Sequence, residues 1–311
     1  MSLAVVIVSY NVRELTRGCL ASVYAALSRA DVAGEVWVVD NASADGSAAM
    51  VAAAFPQARL LALDENLGYA GGANRALRAL LARDDPPEWL LVLNPDTVLA
   101  EDALVHLLAL MRERPAVGIA GAQLAYADGS FQHGAFHFPT LAMLLLDFYP
   151  LHHRLLDSPL NGRYPRQRYA RVRPFEIDHP LGAAMLIRRE VLSAVGLFDE
   201  SYFMYCEEID YCLRARRAGW SIYMAPAARI VHYAGQSTRQ FRERMFVALW
   251  RSRLLLFDRY YSRLYRWLAR RIIRAGMRAQ ERATEREVAS GALTAAEAAP
   301  RLAAYRQVME L

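Results

Sequence analysis

Lysine is missing altogether from the 311 residues, so all 37 basic side chains are arginine and the formal net charge of +5 is carried by guanidinium alone. A phosphate loop of the Gly-Lys-Ser/Thr type is thereby excluded. A lysine-free chain can reflect nothing more than genome composition, while the planar arginine fork also suits phosphates and anionic lipid headgroups; charge alone chooses neither and gives no reason to expect a nucleic-acid partner. Cysteine is scarce. Cys19, Cys206 and Cys212 make an odd count with no Cys-x-x-Cys pair and no His at zinc-finger spacing, which fits a reduced, cytoplasmic compartment better than a disulfide framework. Long apolar runs are lacking too: stretches such as LAMLLLDF fall far short of the roughly 18–20 residues that cross a bilayer. The opening MSLAVVIVSYNVREL has no basic leader and no cleavage site, so it reads as a strand rather than a signal peptide.

What is there is a sequence 55% hydrophobic and 22% charged, enough apolar material for one large domain or a domain with an appendage. Short β-branched runs (AVVIVSY, EVWVVD, RLLALD, WLLVLN, VGIAGAQL) alternate with segments of helical period around residues 12–30, 45–54, 70–83 and 100–113. That alternation predicts an α/β protein with a mostly parallel sheet covered by helices on both faces. Ligands of such sheets bind beyond the carboxyl ends of the strands, and Asn11, Asp40, Asn66 and Asp96 stand at those ends.

Each of these residues has a plainer role open to it. Asp40 in VVDNASADGS suits a turn, and Asp96 in LLVLNPDTVL suits the N-terminal cap of the helix that follows. Repetition speaks against the plain reading, because several buried-type strands end in acids or amides on one edge. The segment DENLGYAGGANRAL adds a glycine-rich entry to a helix, where backbone N–H groups can meet phosphate. The spacing of Gly68, Gly71 and Gly72 is not that of a dinucleotide fingerprint, which counts against nicotinamide chemistry.

Six blocks, VVIVSYN, VVDNASADGS, ENLGYAGGANRAL, LLVLNPDT, HPLGAAMLIRREVLSAVGLFDESYFMYCEEIDYCLRARRAGW and IVHYAGQST, resemble in that order the family 2 glycosyltransferases, most closely the rhamnosyltransferase-like branch. The resemblance spans approximately residues 3–240 and implies a GT-A fold (Rossmann-like, mostly parallel) over 1–240, leaving 241–311 as a C-terminal helical extension. It also implies a dTDP- or UDP-linked sugar donor, a divalent cation and inversion at the anomeric carbon. Asn94-Pro95-Asp96 then stands where the family has an Asp-x-Asp motif. The retained Asp96 would hold Mg²⁺ or Mn²⁺ against the donor diphosphate, with one negative charge fewer because Asn94 replaces the first acid. His232, which alone would pass for a core histidine, would complete the metal shell. Asp40 would accept the N3–H of uracil or thymine, with Asn11, Asn74 and Arg75 as neighbours of the ribose and diphosphate. The general base falls on Glu208, where the family has Asp; the longer side chain shifts its reach by about 1.5 Å. Asp210 fits an ordinary i,i+4 pair with Arg214.

Outside these blocks, residues 139–177 are rich in Arg, Pro and aromatics. They read either as a solvated loop or as an arginine clamp on a phosphate-bearing acceptor such as a lipid-linked sugar. The stripe Phe246, Trp250, Leu254, Phe257, Tyr261, Leu264, Trp267 and Leu268, set among arginines, fits core-packing helices or a peripheral contact with the anionic inner face of the cell membrane. The last segment fits an oligomer contact or a frayed end. The expected activity is transfer of a sugar, rhamnose or another deoxyhexose, to a hydroxyl of a cell-envelope glycan or glycolipid. The rivals are a catalytically silent GT-A module that binds nucleotide sugars or glycans, and a nucleotidyltransferase, whose Gly- and Lys/Arg-rich signature after the first strand SYNVREL lacks.

Overall fold

The computed structural model describes residues 2–149, 152–233 and 241–311. Strand β1 (Ser2–Ser9) is buried along its length except at its first residue, as a strand sandwiched between two helical layers must be. It pairs in parallel with β2 (Ala33–Asp40) and with β4 (Trp89–Leu93), and β2 pairs in parallel with β3 (Arg59–Ala62). Helices α1 (Arg13–Ala30), α2 (Ser47–Ala54), α3 (Gly68–Leu81) and α4 (Ala103–Glu113) alternate with these strands and start within three residues of the positions that periodicity predicts.

Beyond β4 the sheet departs from simple alternation. Its order is β3-β2-β1-β4-β11-β6-β12-β5, where β5 is Thr97–Leu99, β6 Val117–Ala125, β11 Ala184–Arg188 and β12 Ser221–His232. Strand β11 runs antiparallel to both β4 and β6, while β6 and β12 are parallel. Short pieces edge this half: β7 (Phe131–Gln132) on β6, β9 (Phe175–Glu176) on β12, and a separate pair of β8 (Ala135–Phe136) with β10 (His179–Pro180). The result is the mostly parallel α/β sheet expected. Its core is built by residues such as Val5, Ile7, Leu91, Leu93, Leu104 and Leu186, each stabilising the fold by about 1.5–3 kcal/mol on burial.

Contacts divide the chain into two units. The first holds residues 1–138, 164–203 and 207–237 and contains the sheet; the second holds 139–163, 204–206 and 238–311. The boundary at residue 240 expected from sequence, and the end of the IVHYAGQST block from residue 234, lie outside the described residues. In the second unit, helices Arg242–Tyr260, Arg263–Ala289 and Ala295–Glu310 share a core of Trp250, Leu254, Phe257, Ile273, Met277 and Val308 with the helix Leu141–Phe148. The last helix is not frayed: Thr294 and Glu297 form a capping box at its start.

Candidate active site

The turn after β4 is built around one carbonyl. The Asn94 oxygen accepts hydrogen bonds from the Thr97 hydroxyl at 2.7 Å and the Cys19 thiol at 3.6 Å. Burial pushes that thiol up to about 12, so it stays a neutral donor. Pro95 offers no N–H to extend the ladder, and the chain turns into β5, whose three residues pair antiparallel with the end of β12 in the register Thr97 to His232. A bond from the Tyr233 N–H to the Asp96 carbonyl locks the pairing at 2.9 Å. Helix α4 begins only at Ala103, after an Asp102 cap position, so Asp96 is not a helix cap.

Its carboxylate instead faces His232. Asp96 Oδ1 and His232 Nε2 are 3.4 Å apart with both side chains almost wholly buried. The other ring nitrogen, Nδ1, lies 3.2 Å from Gln132 Oε1 on β7. With Nδ1–H donating to Gln132, the Nε2 lone pair points at a carboxylate lone pair, and only a proton or a cation between them makes that arrangement favourable. The donor set of carboxylate and imidazole fits a divalent cation, with Gln132 fixing the tautomer as outer partners of ligating histidines do. Among the described residues no group of three or more His, Cys, Asp or Glu gathers, so further ligands to such a cation would come from diphosphate or water.

Asp40 ends β2, 3% exposed. Its Oδ2 accepts the Ser43 N–H at 3.0 Å, while its Oδ1 is buried with no partner. Asn11, in a left-handed conformation at φ 52°, braces the same loop: its N–H donates to Ser43 Oγ at 3.0 Å and its Oδ1 accepts from the Ala44 N–H at 2.8 Å. Asn74 is fully buried and its amide is spent on the chain. Its Nδ2 donates to the Phe198 carbonyl and to Glu200 Oε1, both at 2.8 Å, and its Oδ1 accepts the Phe198 N–H at 3.1 Å. Arg75 is exposed on α3.

The phosphate-binding role read into the start of α3 is corrected by the structure. The N–H groups of Leu67, Gly68 and Tyr69 already donate to Asn41 Oδ1, Asn66 Oδ1 and the Phe203 carbonyl, each at 2.9 Å. Gly68 is required here: it sits at φ +72°, and a Cβ would lie 2.1 Å from the Phe203 oxygen. Gly68 thus serves a close approach of two backbones, while a Cβ at Gly72 would meet the Val8 side chain at 2.8 Å.

Tyr69 marks where the acids converge. Burial raises its phenol well above the ordinary value, and the charges of Glu207, Glu208 and Asp96 act in the same direction. Its hydroxyl reaches the Gly182 carbonyl at 3.4 Å, and Gly182 flanks Glu208, whose side chain would lie 3.4–3.6 Å from a Cβ there. Glu207 and Glu208 open the helix Glu207–Arg217. Burial, and then the Glu208 charge, push Glu207 well above the usual carboxylate range, and its Oε2 has no partner. Asp210 belongs to the scaffold: 1% exposed, it accepts from Arg214 Nε at 2.8 Å, and Arg214 also donates to the Val195 and Leu197 carbonyls.

One sheet edge thus gathers an orphaned acceptor, an acid–imidazole pair and a carboxylate pair at a helix start. The family model for glycosyl transferase family 2 matches residues 4–196. The chain belongs to glycosyltransferase family 2. Over 249 residues this family 2 chain is 32% identical to the N-acetylglucosaminyl-diphospho-decaprenol L-rhamnosyltransferase of Mycobacterium tuberculosis, which covers 76% of the chain and 77% of the relative. Over 160 residues it is 29% identical to the rhamnosyltransferase WbbL of Escherichia coli K12, covering 51% and 57%. It is similar in fold to the mannosyltransferase PcManGT from Pyrobaculum calidifontis in complex with GDP-Man and Mn²⁺, with a TM-score of 0.56 at 19% identity over 99% of this chain and 83% of that one. GalNAc-T7 with UDP, GalNAc and Mn²⁺ has a TM-score of 0.52 at 16% identity, over 75% and 44%. The architecture is therefore GT-A, as the resemblance implied.

Two residues beside these candidates escape the sequence. Gln132 lies 100 positions from its partner His232, in a stretch with no motif, and only the β6–β7 pairing brings it there. Tyr69 reads as one more aromatic in a helix.

Proposed function

We propose that this glycosyltransferase moves a deoxyhexose, rhamnose being the best fit to its relatives, from a dTDP- or UDP-linked donor to a hydroxyl of a lipid-linked or cell-envelope glycan, with inversion. The observation that carries the reading is the buried Asp96–His232 pair with Gln132 Oε1 3.2 Å from the other ring nitrogen. These two side chains would hold Mg²⁺ or Mn²⁺, imidazole favouring Mn²⁺, and the bound cation would neutralise charge on the departing diphosphate.

The chain's own residues do the rest. The open Oδ1 of Asp40 accepts the pyrimidine N3–H, and Asn11 keeps the loop beyond β2 in the shape that points it there. Asn74 acts from behind, as a brace on residues 198–200, and exposed Arg75 keeps its reach toward the donor's charge. Glu208 takes the acceptor's hydroxyl proton as that oxygen attacks the anomeric carbon from the face opposite the diphosphate. Burial and the Glu208 charge favour the protonated form of Glu207 beside it, which would spare the site a second buried charge. Peripheral attachment to the inner face of the membrane belongs to the same proposal, supported by the exposed Leu264 and Trp267; among the described residues no helix is long and apolar enough to cross a bilayer.

Donor turnover tests the reading. UDP-, dTDP- and GDP-sugars, each with Mg²⁺ or Mn²⁺, are expected to separate into hydrolysed pyrimidine donors and inert GDP-sugars, with activity lost in Asp96→Ala. No turnover of any donor under either metal would favour a module that binds nucleotide sugars without reacting.

A further inference from the structure

Unit one contains a cavity of about 630 Å³, within the range of roughly 300–1,000 Å³ typical of small-molecule sites. Its walls include Val98, Leu124, Phe131, Ile230 and Val231, and Arg166 and Arg229 line it as well. Along β6 successive side chains alternate, so Ala125 shares a face with Gly121, and a Cβ at Gly121 would meet Pro180 of β10 at 2.5 Å. The helix Glu207–Arg217 packs on that same β10. Ala125 thus lines the cavity on the face that β10 covers, and two of its wall residues, Val231 and Phe131, are chain neighbours of His232 and Gln132.

Two further features set it apart from a packing defect. Val172 lines it at φ 54° while 51% exposed; a β-branched residue is rarely found in the left-handed region, and such strain collects at ligand sites. Arg229 is exposed there and its guanidinium has no acid partner among the described residues, while Arg166 lies 4.9 Å from the Phe131 ring centroid. Apolar walls with arginine at hand suit a chain that ends in an anion.

We propose that this cavity seats the first isoprenoid units and the phosphate of a prenyl-phosphate-linked acceptor. The choice of occupant rests on the acceptor reading above; the cavity itself does not. Farnesyl phosphate is a tractable probe. Calorimetry on the full chain is expected to register its binding, with farnesol and inorganic phosphate each about tenfold or more weaker, because either half loses one set of contacts. Arg229→Gln should weaken farnesyl phosphate about tenfold and leave farnesol unchanged, and Ala170→Trp, which fills the cavity from its exposed rim, should abolish chain binding. Neither change should alter UDP or dTDP affinity, which also certifies that both variants fold. With a saccharide acceptor, Ala170→Trp should raise KM for a prenyl-linked form and leave a short-alkyl form untouched. Farnesyl phosphate binding unchanged in both variants would overturn the proposal. So would binding of phosphatidylglycerol vesicles that is lost in Ala170→Trp while farnesyl phosphate does not bind, which would make the occupant a bilayer lipid. Transfer to the short-alkyl acceptor would stand in either case, so failure of the cavity is distinguishable from failure of the transferase reading.

Discussion

Asp40 uses one carboxylate oxygen on its own turn and leaves the other buried and unpaired. A buried acceptor without a donor costs free energy unless a ligand supplies one. UDP or dTDP, which carry N3–H, should therefore bind more tightly than CDP, whose N3 is an acceptor, by about 1–3 kcal/mol; equal affinities in calorimetry would remove Asp40 from the donor site. The two adjacent glutamates separate by variant and by pH. Glu208→Gln should cut transfer by roughly 10²–10⁴-fold, the loss usual for a general base, with UDP binding retained. Glu207 behaves differently because its carboxyl is raised above the ordinary 4.5 in the folded state. The folded protein then binds the proton more tightly than the unfolded chain, so stability is full below pH 4.5 and falls as pH rises from there through the raised value. Glu207→Gln mimics the protonated form. Urea midpoints of the two proteins should coincide below pH 4.5 and the variant should gain steadily above it; parallel curves would mean that Glu207 is not held neutral. At this scale, Asp40, Asp96, His232 and Glu208 could be singled out because each sits in a block that resembles a family 2 motif, although residue types alone left plainer roles open. Gln132 could not, since a lone amide acquires meaning only from a strand pairing made far along the chain.

Local elements were legible where one period dominated. Strands β1 to β4 and β6 and the four helices of the first 125 residues lie close to their expected bounds because apolar spacing alone defines them. Strands β5 and β11 were not, for a physical reason. β5 is three residues long, too short to establish an alternation, and β11 is an apolar run whose antiparallel insertion between β4 and β6 is decided by partners rather than by its own pattern. Glycine-rich entry to α3 misled in an instructive way: the same composition serves phosphate or a backbone neighbour, and here Asn41, Asn66 and Phe203 take the amides first. Gly68→Ala discriminates between the two. With φ at +72° and the Phe203 carbonyl in the path of a Cβ, the change should destabilise by about 1–3 kcal/mol or more. It should read as a lower melting temperature for the nucleotide-free protein. An unchanged melting temperature would show that the carbonyl can withdraw and that the contact is dispensable.

At the level of the whole molecule, the apolar stripe of the helical unit divides between two duties. Trp250, Leu254 and Phe257 are buried in its core, whereas Leu264 is 66% and Trp267 52% exposed. Core packing thus accounts for the buried part of the stripe, and the exposed part is where a membrane contact would lie. Arg271 stacks 4.4 Å from the Trp267 centroid, while Arg266 and Arg270 are turned back onto Asp258, so the cation that accompanies the exposed aromatic is Arg271. An indole with a guanidinium over it, next to an exposed leucine near the start of a long helix, suits the headgroup layer of an anionic bilayer. Because all positive charge in this protein is arginine, the attraction should be electrostatic in onset and screened by salt, with a Debye length of about 10 Å at 0.1 M. Sedimentation with phosphatidylglycerol vesicles is expected to pull the protein down at low salt and release it as salt rises, and phosphatidylcholine vesicles should retain much less. Leu264→Glu with Trp267→Glu should abolish the pull-down at every salt concentration while leaving the melting temperature within about a degree, since surface changes usually move stability by no more than about 0.5 kcal/mol. Binding that ignores salt, or that survives the double substitution, would place the membrane contact elsewhere on the chain.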